Sequence, residues 1–449
     1  MNSPSSQENS HPSAPPPNVS ARRFARLLTN MALASAAGLA ALALSEAALA
    51  LFPIVSPAIE TLRAQRIKLC QFERAARAGR EAYQSLFMTD PELGYRIRPD
   101  FVTGRKRVGS SWVEIKTDSC GFFNQDYDAS HPCDVACVGD SFVAPPWPNI
   151  LQDISKLRVA GFGVPAYSPP QYSIVVRRYA LPLRPKVLLY CLYVNDAVES
   201  ARFEDWKRSG LDWFTFRGRD WFGITPSHPG RMLVEEWLLR CSRIYALWRF
   251  AGARNAGERI SITAHPIPYK TDKFSLVFDR ASFTTLTDVQ TDMVKRGLAI
   301  VRDSLDEARQ LCEAANVRMI VLFLPPKELV HFEALKARAK PDDPIGNLPA
   351  FYLALQQICA LLQIECCDLT DSFRGEVTRT GKALYGEVDI HWDEDGMNQM
   401  ARTAAAILAA SGQFRGKTKW TEPAPPIMGR RAVGRKFIAP TSVGVLNRP

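Results

Sequence analysis

From Val135 onward, short runs of small and branched apolar residues alternate with segments of helical length. The first run, Val135-Ala136-Cys137-Val138, is too short for a helix and is bounded by polar residues, so it reads as a strand buried on both faces. Further runs begin at Leu157, Val187, Val317 and Ile364. Apolar residues at helical spacing fill Thr287 to Ala315 (Met293, Leu298, Val301, Leu305, Ala308, Cys312), Leu353 to Leu362, and the stretch after Gly396 (Met397, Met400, Ala404, Leu408). The alternation predicts an α/β fold, a five-stranded parallel sheet between two layers of helix.

The pattern is different before Val135. Residues 27–52 contain one charge, Glu46, and Leu27 to Ser45 approaches the roughly 20 residues that cross a bilayer as helix. Arg22, Arg23 and Arg26 on the N-terminal flank favour keeping that end in the cytoplasm. This predicts a transmembrane anchor; a cleaved signal peptide ending at Ala48-Leu49-Ala50 is the alternative. Either exports the rest of the chain. Residues 1–26 read as a disordered cytoplasmic N-terminus and 53–89 as a polar stalk helix. Residues 90–130 read as a small β-rich segment, and 131–413 as the main domain. Within that domain residues 198–283 interrupt the alternation with Trp206, Trp213, Phe214, Phe216, Trp221 and Phe222, followed by Trp237, Leu238, Ile244, Leu247 and Trp248 on helical spacing. These aromatics either pack a subdomain against the core or form a cap over the active edge. Residues 414–449 read as a basic disordered tail.

That tail holds most of the formal net charge of +10, so the main domain need not be basic. An exported domain is not expected to bind nucleic acid; anionic lipid or acidic glycan is the fitting partner for the charge. Of the ten cysteines, Cys137 and Cys191 fall in core strands, and Cys366 and Cys367 point to opposite faces of one strand. Cys120, Cys133, Cys241, Cys312 and Cys359 remain as candidates for pairing of unspecified connectivity. No Cys-x-x-Cys or His-Glu-x-x-His spacing calls for a metal, and no cofactor is expected. Gly161-x-Gly163-x-x-Ala166 is a poor dinucleotide fingerprint, because Pro165 interrupts the turn and no acidic residue ends a strand about 20 residues later.

Candidate chemistry lies at the strand ends. The first run stops at Gly139-Asp140-Ser141-Phe142, which sets Ser141 at the carboxyl edge of the sheet, where open α/β folds bind ligands, with the following helix expected to aim N–H groups at it. Gly163 follows the second run, Asn195 the third, and Asp389-Ile390-His391-Trp392 lies beyond the fifth. A serine nucleophile needs a base to take its proton and a carboxylate to orient that base, and Ser141, His391 and Asp389 supply those types.

These residues resemble, in order, the sequence blocks of the SGNH hydrolases, also called the GDSL family. The resemblance implies a flavodoxin-like core. It also implies that Ser141 is the nucleophile, that His391 and Asp389 complete the triad, and that Ser141, Gly163 and Asn195 form an oxyanion hole. Gly161 stands where the family usually has asparagine, and Asp-x-His replaces the usual Asp-x-x-His. The Asp-x-His-Trp form is similar to SGNH-type domains associated with bacterial polysaccharide O-acetylation. The expected function is a serine esterase acting on acyl esters, including those of a cell-envelope glycan, at the periplasmic side of the inner membrane. The alternatives are a polysaccharide O-acyltransferase served by a multi-pass membrane protein that delivers the acyl donor, and a non-catalytic glycan-binding module.

Overall fold

The computed structural model describes residues 19–51, isolated positions between 59 and 70, and, with short gaps, 86–217, 229–250 and 267–414. The expectations for residues 1–18, for most of the stalk, for Trp221 and Phe222 and for the tail beyond 414 lie outside the described residues.

Two antiparallel hairpins precede the main domain, β1 (Phe87–Asp90) with β2 (Gly94–Ile97) and β3 (Val102–Val108) with β4 (Ser111–Lys116). The central sheet is built from β5 (Val135–Gly139), β6 (Val159–Gly163) and β7 (Val187–Leu192). A hairpin, β8 (Ile267–Lys270) with β9 (Ser275–Phe278), comes before the last two sheet strands, β10 (Arg318–Phe323) and β11 (Glu365–Asp368). The five parallel strands lie in the order β11-β10-β7-β5-β6, the flavodoxin-like order, which reverses between β5 and β7. Every residue of β5, β6 and β7 is buried, as uninterrupted apolar runs in a doubly covered sheet require.

The reversal also sorts the helices. The crossover from β5 to β6 runs toward one edge, and those from β6 through β7 and β10 to β11 run toward the other. Right-handed connections therefore put Trp147–Ser155 on one face and Pro169–Val175, Asp292–Ala314 and Ala350–Leu361 on the opposite one. The C-terminal helix Glu394–Ala410 returns to the first face and packs on Trp147–Ser155.

Two elements differ from the pattern reading. The helix expected from Thr287 begins instead at Asp292 and runs to Ala314, and a separate helix, Arg280–Thr287, ends where it was expected to start. Asp288 accepts from the backbone N–H of Gln290 at 3.0 Å, a local turn that competes with helix continuation. The second strand begins at Val159 rather than Leu157 and runs through Gly161-Phe162-Gly163. Its glycines are there for close approach: a Cβ on Gly163 would lie 2.1 Å from the Ala144 nitrogen and 2.8 Å from the Asp140 carbonyl oxygen.

In the 198–283 segment, Trp206 and Trp213 pack inward, with Trp213 5.2 Å from Tyr95 of β2 and 5.5 Å from Trp206 between ring centroids. Trp237 and Trp248, on the helices Pro229–Cys241 and Arg243–Phe250, are exposed. At the other end of the chain, the helix Val19–Leu51 includes a stretch, Arg26–Leu49, that is long and apolar enough to cross a membrane; its most apolar window has no buried residue, and only Glu46 and Leu49 near its end are partly covered.

Candidate active site

β5 ends at Gly139 and the chain turns at once. The backbone N–H groups of Val143 and Ala144 donate to the Asp140 carbonyl at 3.0 and 3.3 Å, and that of Phe142 donates to the Asp140 carboxylate at 2.9 Å. Ser141 is held at the rim of this turn. The next helix begins only at Trp147, with Pro146 at its cap, so its N–H groups do not directly follow the serine as expected. Pro145 and Pro146 bring no N–H of their own, and proline disfavours helical backbone in the residue before it.

His391 arrives from the C-terminal side. An isolated bridge between Tyr385 and Trp392, with the Gly386 N–H donating to the His391 carbonyl at 3.0 Å, closes a loop that contains Asp389. Asp389 Oδ1 accepts from the backbone N–H of His391 at 3.1 Å and lies 2.7 Å from its Nδ1. An ionised carboxylate only accepts, so Nδ1 has the proton and Nε2 is left with a lone pair. Nε2 is 2.7 Å from Ser141 Oγ, across 250 positions of sequence. The hydroxyl therefore donates to Nε2, the arrangement that proton abstraction requires. The short Asp-x-His spacing thus allows a full Ser141–His391–Asp389 relay.

Gly163 ends β6 against the Asp140–Ala144 turn. Asn195 ends the loop after β7, across the sheet reversal from Ser141, and its amide nitrogen reaches Asp140 Oδ2 at 3.4 Å. That contact engages one amide hydrogen and leaves the second. The five sequence-predicted site residues thus meet at one edge of the sheet.

A family model described as the SGNH hydrolase-like domain of the acetyltransferase AlgX matches residues 283–429, which include Asp389 and His391. Over that third of its length the chain is similar to an SGNH hydrolase-like domain. The matched stretch excludes Ser141, Gly163 and Asn195, which the parallel sheet brings to it from its other strands. Among solved structures the chain is similar to LAE5, an alpha/beta hydrolase enzyme from the metagenome of Lake Arreo, Spain, at 11% identity over 63% of this chain and 96% of that one, with a TM-score of 0.32. No curated protein matches.

Electrostatics in this site follow from its burial and its charges. Burial opposes ionisation of Asp389, but the His391 hydrogen bond and the opposite charge prevail and hold its carboxyl below the usual range. Burial likewise opposes the imidazolium, and the Asp389 hydrogen bond, with the charges of Asp389 and Asp140, lifts His391 above its ordinary value. Asp140 and Asp196 are both pushed up, chiefly by burial; the charge of Asp140 adds to the shift of Asp196.

Several supporting residues escape sequence reading. Lys327, fully buried after β10, donates Nζ to the Asp389 carbonyl at 2.9 Å. Its signal was a lysine directly after an apolar strand and two prolines, at the same sheet edge as Ser141 and Asn195. The Val277 N–H of β9 donates to the Glu387 carbonyl at 2.6 Å, and the Ser275 hydroxyl donates to the Glu387 carboxylate, so the β8–β9 hairpin braces the loop that carries Asp389. Phe142 packs at a tilt against both Tyr193 and His391, at 4.0 and 4.8 Å between centroids. No local pattern announces these contacts.

Proposed function

We propose that this protein moves acyl groups through an ester on Ser141, with acetyl, the group named for its AlgX relative, as the cargo and a hydroxyl of a cell-envelope glycan as the acceptor. The observation that carries this reading is the relay, 2.7 Å from Ser141 Oγ to His391 and 2.7 Å from His391 to Asp389. His391 Nε2 takes the Ser141 proton as Oγ bonds to the carbonyl carbon of the donor ester. The N–H groups of Ser141 and Gly163 and the second amide hydrogen of Asn195 are the donors for the oxyanion, each worth about 3 kcal/mol in comparable sites. Collapse breaks the bond to the leaving oxygen, which takes the proton from the imidazolium. The acyl group stays on Ser141. An acceptor hydroxyl then gives its proton to His391, attacks the ester carbonyl and releases Ser141, which recovers its proton from the imidazolium.

Water in place of the sugar hydroxyl makes the same site an esterase, and the 39% exposure of the His391 side chain favours this second reading by leaving the base open to solvent. An intact relay weighs against a non-catalytic glycan-binding module. The domain is read as periplasmic, held at the inner membrane by an uncleaved Arg26–Leu49 helix, and a membrane protein that presents the acyl donor fits that position. Glu46 hydrogen-bonds to residues 242–244, contacts that a chain cut after Ala50 would lose, which supports the anchor over the signal peptide.

Intact-mass labelling with a fluorophosphonate tests the nucleophile and base: one adduct on the full chain, absent from Ser141→Ala and strongly reduced in His391→Ala. A folded wild-type chain that takes no label would sink the proposal. An activated acetyl ester supplied with and without an oligosaccharide then separates the acceptors, by whether acetate or acetylated glycan accumulates.

A further inference from the structure

Glu46, the one charge in the apolar run, begins a second and smaller assembly. Its carboxylate accepts from the Ser242 hydroxyl and from the backbone N–H groups of Arg243 and Ile244, at 2.7 and 3.0 Å. Those N–H groups open the helix Arg243–Phe250, so a side chain from the apolar helix satisfies donors that the helix itself cannot. Leu49 packs nearby on a cluster of Ile59, Leu239 and Ala246 that is separate from the main core. Arg63 donates to the carbonyl of Arg240 at 2.8 Å, and Arg66 makes a two-point contact with Glu235 at 3.1 and 3.0 Å. The helices Pro229–Cys241 and Arg243–Phe250 are thereby fastened to the end of the apolar helix.

Leu27 to Ser45 rises about 28 Å as helix, close to the roughly 30 Å of a bilayer's hydrocarbon. Glu46 then falls where the hydrocarbon ends. The two fastened helices expose apolar surface. Leu233, Val234 and Trp237, spaced to share one helix face, are 49%, 55% and 62% exposed, and Trp248 is 73% exposed. Tryptophan concentrates at the membrane interface, while Arg240, Arg243 and Arg249 on the same helices pair with Glu236, Glu60 and Glu235, so the apolar residues are what the assembly offers a bilayer.

We propose that the helices Pro229–Cys241 and Arg243–Phe250 form a collar seated in the headgroup layer of the phospholipid bilayer that the Arg26–Leu49 helix crosses, with Trp237 and Trp248 inserted toward the acyl chains. The collar rests on the uncleaved-anchor reading, because Glu46 is what ties it to the bilayer surface. It gives the segment between the third and fourth sheet strands a lipid-binding role distinct from the chemistry at Ser141.

The test uses the full chain reconstituted in phosphatidylcholine and phosphatidylglycerol vesicles, with and without brominated acyl chains. Bromolipid is expected to quench part of the tryptophan emission, and the quenchable part to fall by at least half in the W237F/W248F double variant. Glu46→Ala is expected to reduce the quenching while the chain stays in the vesicles. An unchanged quenchable fraction in the double variant, on a chain that resists alkaline carbonate extraction, overturns the collar and spares the anchor. A chain that carbonate releases overturns both. Absent quenching together with a dimer that W237F/W248F breaks assigns the face to a second copy and also overturns the collar.

Discussion

Lys327 and Asp389 meet through a charged donor and a neutral acceptor: the buried ammonium holds the backbone carbonyl of the triad aspartate at 2.9 Å, while the aspartate carboxylate faces His391. The lysine therefore fixes the loop without competing for the carboxylate. Its charge also lowers the His391 pKa. Lys327→Met should reduce kcat by up to roughly 10²-fold through misplacement of the loop, with little change in KM. It should also move the acidic limb of the rate profile to higher pH, because a cation beside the imidazolium has gone. A purely structural role would lower stability and leave that limb in place.

The same limb reports on the relay itself. His391 must be neutral to accept the Ser141 proton, and its pKa is raised, so kcat/KM should fall as pH drops through a value above the usual 6.5 or so of histidine. Asp389→Asn removes the anion that favours the imidazolium. The limb should move to lower pH while the maximal rate falls by about 10³- to 10⁴-fold. A limb that stays put in Asp389→Asn argues that a different group titrates.

Gly163→Ala would set a methyl 2.1 Å from the Ala144 nitrogen. Backbone on both sides leaves the turn after Ser141 as the part that moves. Loss of activity by about 10²-fold or more is expected, with a lowered Tm on a chain whose circular dichroism is otherwise native. Full activity in this variant would mean that β6 and the nucleophile turn are less closely fitted than described.

Trp213 and Trp248 are a matched pair for thermal unfolding in detergent. Trp213 is buried against Tyr95, Phe203 and Trp206, so Trp213→Ala should cost about 3–5 kcal/mol. Trp248 is mostly exposed, and Trp248→Ala should stay within about 0.5 kcal/mol of wild type. Equal losses would show that the inward packing of the segment is not what stabilises it.

The strands that position Ser141 and Asn195 were legible because β5 and β7 are buried on both faces, and only apolar residues satisfy that. His391 and Asp389 could be read because a loop two residues apart needs no tertiary knowledge to bring them together. Val159–Gly163 was harder to delimit: glycine reads as a turn locally, whereas these glycines sit in a strand to make room for the neighbouring turn. Lys327, Phe142 and the β8–β9 brace depend on contacts between distant segments. The cap on the helix Arg243–Phe250 depends on a side chain 197 positions earlier, and no window of sequence shows it.

The 250 positions between Ser141 and His391 also order events during synthesis. Threaded from its N-terminus, the chain delivers the apolar helix first, then Ser141 after the first of the five sheet strands, and His391 only after all five. Until then the serine has no group to take its proton. On the proposed function the site is thus completed only when its C-terminal loop arrives, and a chain truncated before Asp389 would keep all five sheet strands while lacking the base, its carboxylate and the helix that covers Trp147–Ser155.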